Sequence, residues 1–156
     1  MNGYSRAQIA LHWMVAILIA ASWFTGEDMG PALRALAAGG TVGTPPHVSI
    51  GLIVFGLVAI RLVLRLVQGA PQPAAGTPPL AAKAAHWGHR ILYALMIVVP
   101  LAGISTWYLG VRALGEVHEV LGNALMIVAL GHAGAAIWHQ YVQRDDTLTR
   151  MLRPAR

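Results

Sequence analysis

Residues 116–141 read EVHEVLGNALMIVALGHAGAAIWHQY, and this segment limits how the rest of the chain can be arranged. Its apolar run is long enough to cross the hydrocarbon core of a bilayer, which takes about 20 residues as a helix. His118 and His132 lie 14 residues apart in it. Fourteen residues make about 3.9 helical turns and about 21 Å of axis, so both histidines point to nearly the same face. The segment is therefore predicted to be a membrane-spanning helix with one histidine near each membrane surface.

Three further apolar segments precede it, at about residues 5–24, 47–67 and 81–109. Of the 156 residues, 56% are hydrophobic and only 11% are charged, whereas a soluble domain carries about 25% charged residues. The four segments and their connections account for the whole chain, and the first is interpreted as a retained helix rather than a signal peptide. We therefore predict an all-α integral membrane four-helix bundle, one domain over residues 1–156, with a kink at Pro100 in the third helix.

The charged residues divide unequally between the two ends of such a bundle. One end, here called the basic end, carries nine of the eleven basic residues and a net charge of +7, while the other, the acidic end, has a net charge of −2. The positive-inside rule places the basic end and both termini in the cytoplasm. The overall charge of +5 is therefore a signal of topology, and nucleic-acid binding is rejected. The basic end holds Arg6, Arg61, Arg65, Lys83, Arg90, Arg144, Arg150, Arg153 and Arg156 with Asp145 and Asp146; the acidic end holds Arg34 and Arg112 with Glu27, Asp28, Glu116 and Glu119.

Four of the seven histidines match in depth. His47 and His118 begin their helices at the acidic end, whereas His12 and His132 lie about two turns inside theirs from the basic end. An isolated histidine in a membrane often only bonds a neighbouring helix, but intramembrane histidines are costly and usually functional. Two stacked haems fit this geometry, with one held by His47 and His118 and the other by His12 and His132.

The residues around these pairs agree with b-type haem. Neutral imidazole is a good ligand of haem iron, and the absence of cysteine excludes covalent attachment, iron–sulfur clusters and thiolate metal sites. Gly51 and Gly122 follow His47 and His118 by four residues, which places each glycine on the face of its histidine. A flat macrocycle needs small neighbours there, although small residues also serve ordinary helix packing in membranes.

The remaining histidines, His86, His89 and His139, are predicted at the membrane interface of the basic end, too shallow to reach the inner pair. They form either a solvated interfacial cluster or a site for quinone and protons, since histidine exchanges protons near neutral pH. Arg61 and Arg65 are candidate partners of haem propionates or, equally, of anionic lipid headgroups.

Five stretches carry a family resemblance: SRAQIALHW, PPHVSIGLIVFGLVAIRLVLRL, AAHWGHRILYALMIVVPLAG, HEVLGNALMIVALGHAGAAIWHQY and RDDTLTRML. The chain resembles the bacterial cytochrome b561 family, in particular its small stand-alone superoxide oxidases, over nearly its whole length. The resemblance implies a multi-pass protein of the bacterial inner membrane with two b haems on the same histidine pairs. It also implies oxidation of superoxide to dioxygen on the periplasmic side and reduction of ubiquinone to ubiquinol.

Two other functions compete with this one. The chain also resembles the cytochrome b subunits that pass electrons between quinone and a partner dehydrogenase or hydrogenase. The negative charge of the acidic end repels superoxide, although Arg34 and Arg112 could form a local positive patch, while the compact chain and its short loops argue mildly against a large partner surface. A histidine-lined metal transporter is the third hypothesis, but transporters usually add carboxylates at the midplane, and the sequence has none there.

Overall fold

The computed structural model describes residues 3–72 and 77–154, which form five α-helices and two short 3-10 turns. Four of the helices are long and apolar enough, by length and composition, to cross a membrane. The short helix α2 lies between the first two of them at the acidic end. The five helices are α1 (Arg6–Phe24), α2 (Met29–Ala37), α3 (Pro46–Gln68), α4 (Pro79–Leu109) and α5 (Ala113–Tyr141).

These bounds confirm the four predicted membrane helices, each to within three residues at either end. The start of α1 is capped, because the Ser5 hydroxyl accepts from the Gln8 backbone N–H at 3.2 Å. The Gln8 side chain in turn accepts from the Ser5 backbone N–H at 3.0 Å, which completes a capping box. Helix α4 runs through Pro100, and the kink there stays a prediction. Part of the connection between α3 and α4 lies outside the described residues.

The bundle is built from two helix pairs, α1 with α3 and α4 with α5, joined through contacts between α3 and α4. The core between them is small and aliphatic, and Val58 is its most buried large side chain at 1% exposure. The outward faces instead expose large apolar side chains such as Ile127, Leu130 and Val63. A soluble bundle would cover such a surface with polar residues, so this exposure agrees with helices that face lipid.

Polar contacts at the basic end tie α1 to the end of α3. The Ser5 hydroxyl donates to Gln68 Oε1 at 2.8 Å, and the Gln8 side-chain amide donates to the Gly69 carbonyl at 3.0 Å. Gln8 is the buried polar residue of the described chain, at 6% exposure. These bonds fix the depth of His12, one turn further along α1, relative to α3.

Candidate functional site

His47 and His118 face each other at the acidic end of the bundle. Their Nε2 atoms lie 3.4 Å apart, and their ring planes are nearly perpendicular at 89°. His47 Nδ1 donates to the Ser22 carbonyl at 2.7 Å, and His118 Nδ1 donates to the Val99 carbonyl at 2.8 Å. All four helices that cross the membrane therefore contribute a partner to this pair.

The two carbonyls determine which ring nitrogens are protonated. A carbonyl oxygen only accepts hydrogen bonds, so each neutral imidazole carries its proton on Nδ1 and leaves a lone pair on Nε2. Two lone pairs that face each other at 3.4 Å repel unless a cation lies between them. Two metal–imidazole bonds of about 2.0 Å each span about 4 Å, so a small opening of the pair would admit an iron. The donor set therefore fits bis-histidine haem.

A cavity of about 680 Å³ surrounds this pair and is large enough for a cofactor. Gly51 and Gly122 line it, and a Cβ added at either glycine would meet no heavy atom of the described residues within 4 Å. Both glycines therefore keep the space beside the histidines open, as a flat macrocycle requires.

Gly103 on α4 is a site residue that the sequence analysis missed. A Cβ added there would lie 2.9 Å from both Cε1 and Nδ1 of His118. Non-bonded carbon atoms do not approach other heavy atoms this closely. Only glycine therefore lets the His118 ring approach α4 and reach the Val99 carbonyl. Gly103 comes one turn after Val99 on the same helix face, but the sequence does not show that His118 packs against this face.

The second histidine cluster lies at the basic end and contains three rings instead of two. The ring centroids of His12 and His132 are 6.3 Å apart, and those of His89 and His132 are 5.0 Å apart. Trp13 packs edge-on against His12 at 5.4 Å. His89 Nδ1 donates to the Ala85 carbonyl at 2.6 Å, which leaves its Nε2 lone pair available.

The position of His89 corrects one prediction. We expected His89 to be too shallow to reach the inner pair, but its ring contacts His132. The reason is the length of α4: 31 residues extend about 46 Å, well beyond the roughly 30 Å of the hydrocarbon core. Ten residues into this helix, His89 already lies at the depth of the inner pair.

The other candidate residues separate into distinct environments. Arg61 and Arg65 both place their guanidinium groups over the Tyr93 ring, at 5.9 and 5.7 Å from its centroid, a cation–π arrangement. Arg61 also donates to the Gln8 carbonyl at 3.3 Å. A second cavity of about 410 Å³, lined by Arg65, Tyr93, His86 and His89, opens beside them.

His139 lies apart from this cavity, at the end of α5. Its Nδ1 donates a hydrogen bond to Asp145 Oδ2 at 2.6 Å. From the sequence, Asp145 was noted only as one of the charged residues of the basic end. His86 differs from the other six histidines, because it alone is exposed.

The arrangement of donors argues against a bare transition-metal site. Among the described residues, no group of three or more His, Cys, Asp or Glu side chains is placed to hold a metal ion. A pair of histidines supplies two ligands, which is the number that a bis-histidine haem takes from the protein.

Comparison with known proteins matches nearly the whole chain to haem-binding cytochromes. The family model for prokaryotic cytochrome b561 matches residues 3–154. Cytochrome b562 of Cereibacter sphaeroides is 39% identical over 155 residues, covering 97% of this chain and 96% of that protein. Cytochrome b561 homolog 1 of Escherichia coli is 29% identical over 173 residues, covering 97% and 98%. The probable superoxide oxidase CybB of Yersinia pestis is 29% identical over 170 residues, covering 96% and 95%.

The family match, the four spanning helices and the facing histidines agree with one another. They identify a multi-pass protein of the bacterial inner membrane that binds haem b and transfers electrons. The chain belongs to the prokaryotic cytochrome b561 family.

Proposed function

We propose that the chain binds two b haems, one between His47 and His118 and one between His12 and His132, and passes electrons across the membrane between them. The observation that carries this proposal is the outer pair, with two Nε2 atoms that face each other at 3.4 Å while both Nδ1 atoms are held by carbonyls. Each imidazole would thus hold haem iron through Nε2, and the hydrogen bonds at Nδ1 orient both rings before the haem binds.

The inner pair supports a second haem of the same kind. Its ring centroids are 6.3 Å apart, somewhat wider than the 5.6 Å of the outer pair. His118 and His132 lie on one face of α5, and Leu125, buried at 6% exposure, lies midway between them. With Val58 and Met96 it belongs to the apolar core of the bundle.

Haem bound in this way supplies one-electron transfer, and the protein residues determine where electrons enter and leave. We propose that superoxide gives up its electron at the acidic end and leaves as dioxygen. At the basic end, two electrons and two protons convert ubiquinone to ubiquinol. The support is the resemblance to superoxide oxidases, together with a relative that is itself named a probable superoxide oxidase.

The quinone is proposed to bind in the cavity lined by Arg65, Tyr93, His86 and His89. His89 links this cavity to the inner haem site, since its ring lies 5.0 Å from that of His132. Its free Nε2 can exchange a proton with a quinone oxygen, because the Ala85 carbonyl holds the proton on Nδ1. Arg61 and Arg65 supply positive charge beside the site, for haem propionates or for lipid headgroups.

One observation favours a different electron donor. Glu27, Glu116 and Glu119 line the outer cavity, against Arg112 as its one arginine or lysine among the described residues. A negative rim repels superoxide and attracts a positively charged redox protein. The alternative function is therefore a cytochrome b subunit that passes electrons between quinone and a partner dehydrogenase or hydrogenase.

Haem counting tests the ligand assignment. Purified protein is expected to contain two haems per chain, and His118→Ala and His132→Ala are each expected to remove one of them. His86→Ala is the matched control, because this histidine is exposed and belongs to neither pair. Loss of both haems or of none in either single variant would contradict the pairing.

Stopped-flow mixing with superoxide tests the donor. The wild-type haems are expected to be reduced much faster than those of a His47→Ala variant, which lacks one ligand at the acidic end. Equal rates would overturn the superoxide reaction. Co-purification of a catalytic dehydrogenase or hydrogenase subunit from the native membrane would instead support the alternative.

A further inference from the structure

The two histidine pairs differ in the hydrogen bonds at their Nδ1 atoms. In the outer pair, both Nδ1 atoms donate to backbone carbonyls, at 2.7 and 2.8 Å. In the inner pair, neither the ring of His12 nor that of His132 forms a hydrogen bond with any of the residues that the structure describes. The two sites therefore offer the same kind of ligand, but only the outer ligands are bonded to the protein on their far side.

Arg61 accounts for the missing bond at His12. A histidine in a helix can donate to the carbonyl four residues earlier, as His89 does to Ala85 at 2.6 Å. The corresponding carbonyl for His12 belongs to Gln8, and it accepts from the Arg61 guanidinium at 3.3 Å. A carbonyl oxygen has two lone pairs, and the helix already directs the backbone N–H of His12 to one of them. Arg61 therefore occupies the acceptor that the His12 ring would otherwise use.

Arg61 also places a positive charge beside the inner pair. The side chain is half-buried between α1 and α4, and its guanidinium lies 5.9 Å from the centroid of the Tyr93 ring. It is close enough to the rings of His12 and His132 to act on both electrostatically. Because salt screens a partly buried charge less than an exposed one, this charge acts on the inner site at physiological ionic strength.

Both differences affect the reduction potential of a bound haem, which depends on hydrogen bonds to its ligands and on the charge around it. A carbonyl that accepts from Nδ1 makes the imidazole a more basic ligand, and a more basic ligand stabilises the oxidised iron. This effect lowers the potential of the outer haem. Reduction removes one positive charge from the iron, so a nearby guanidinium favours the reduced state and raises the potential of the inner haem. The glutamates around the outer cavity disfavour reduction there and so increase the difference.

We propose that Arg61 makes the inner haem the stronger electron acceptor of the two, an inference that rests on the proposed binding of one haem by each pair. Arg61 acts by two routes: it withholds the Gln8 carbonyl from His12, and it brings positive charge to the site. The carbonyls of Ser22 and Val99 act in the opposite sense on the outer haem. An electron that enters at the acidic end therefore moves downhill to the basic end, where the outer haem has given it up and the inner haem has taken it up.

A redox titration of the haem absorbance, without oxygen and with soluble mediators, tests the role of Arg61. Wild-type protein is expected to titrate in two steps, and Arg61→Gln is expected to lower the potential of the upper step only. Arg61→Lys keeps the charge and is expected to retain part of the difference. Arg65→Gln is the matched control, because it removes the same charge one turn along α3 from a guanidinium that also lies over Tyr93, at 5.7 Å. Its shift is expected to be smaller, and equal shifts in Arg61→Gln and Arg65→Gln would overturn the role of Arg61.

Single-haem variants assign the two steps to the two sites. His118→Ala is expected to keep the inner haem and His132→Ala the outer one, and the first variant is expected to titrate at the higher potential. Equal potentials, or the reverse order, would overturn the inference. Fewer than two haems in the wild-type protein would instead overturn the proposed function, so the two failures are distinguishable.

The Nδ1 protons give a readout that needs neither a potential nor a ligand variant. In ¹H–¹⁵N spectra of the reduced, diamagnetic protein with ¹⁵N-labelled histidine, the Nδ1–H signals of the outer pair are expected at low field, with slow exchange against deuterium. The His12 signal is expected to exchange quickly in wild-type protein and to approach the outer signals in Arg61→Gln, since this variant frees the Gln8 carbonyl. A His12 signal that is already protected in the wild type, or that does not change in Arg61→Gln, would overturn the first route.

Discussion

The imidazole of His118 packs so closely on Gly103 that a single added methyl group would lie 2.9 Å from two of its ring atoms. This contact brings His118 Nδ1 to the Val99 carbonyl at 2.8 Å and turns Nε2 toward His47. The orientation of the outer ligand therefore depends on a missing side chain on the neighbouring helix.

Gly103→Ala should selectively weaken the outer haem. The added methyl group forces the His118 ring away from α4, and overpacking of this kind costs about 1–3 kcal/mol, or about a 5- to 150-fold loss of affinity. Haem per chain should fall from two toward one, with the inner haem spectrum retained. Gly56→Ala is the control, because a Cβ there meets no heavy atom of the described residues within 4 Å. Equal haem content in the two variants would contradict the prediction.

Gln8→Ala should destabilise the bundle without removing a haem ligand. The side chain is buried and bonds both the Ser5 N–H and the Gly69 carbonyl. Its loss leaves these groups unpaired, which costs about 1–3 kcal/mol and lowers Tm by about 2–4 °C per kcal/mol in a chain of this size. Thermal unfolding in detergent measures the change, with the exposed Gln143→Ala as control. A similar Tm for both variants would show that the buried bonds contribute little.

Helix lengths, topology and the depth of four histidines were predictable, because they follow from the hydropathy of the sequence and from the constant rise per residue of an α-helix. The His47–His118 pair is an example, since both residues lie within the first two turns of their helices at the same end. Gly103 was not predictable in this way, because its role arises between two helices whose rotation about their axes the sequence does not specify. His89 was misplaced for a related reason: a residue's depth in the membrane depends on how far α4 extends beyond the bilayer.

The partner of His139 could not have been found from helical periodicity. Asp145 reaches His139 because the chain reverses at Arg144. The sequence does not indicate that Arg144 adopts a left-handed backbone conformation. The short motif Asp-Asp-Thr does suggest an Asx turn, but it does not indicate which helix the turn meets.

Acid should loosen the C-terminal segment, residues 142–152, through Asp145. Burial raises the pKa of this carboxyl, but hydrogen bonds from Thr147 and His139 outweigh burial and leave the pKa below its ordinary value of 3.8. A lowered pKa in the folded state stabilises the fold above pH 3.8, and this contribution is lost as the pH falls through the folded-state pKa. Hydrogen–deuterium exchange in residues 142–152, corrected for intrinsic rates, should rise in that window. Asp145→Asn should lack this pH dependence, and a matching rise in the variant would assign it to another group.

Trp13→Phe should release the same segment at neutral pH. Phenylalanine keeps a ring beside His12 but cannot donate the 2.8 Å hydrogen bond to the Met151 carbonyl. One such bond contributes about 0.5–1.5 kcal/mol, so trypsin should cleave after Arg150 about two- to tenfold faster when cleavage follows the open population. Trp23→Phe is the matched control, because it removes the comparable indole bond to Asn123 at the opposite end of the bundle. If both variants were cleaved at the wild-type rate, the Trp13 bond would be dispensable. The hydrogen bonds from Thr149 to Gln140 and from Arg150 to Gln72 would then suffice to hold the segment.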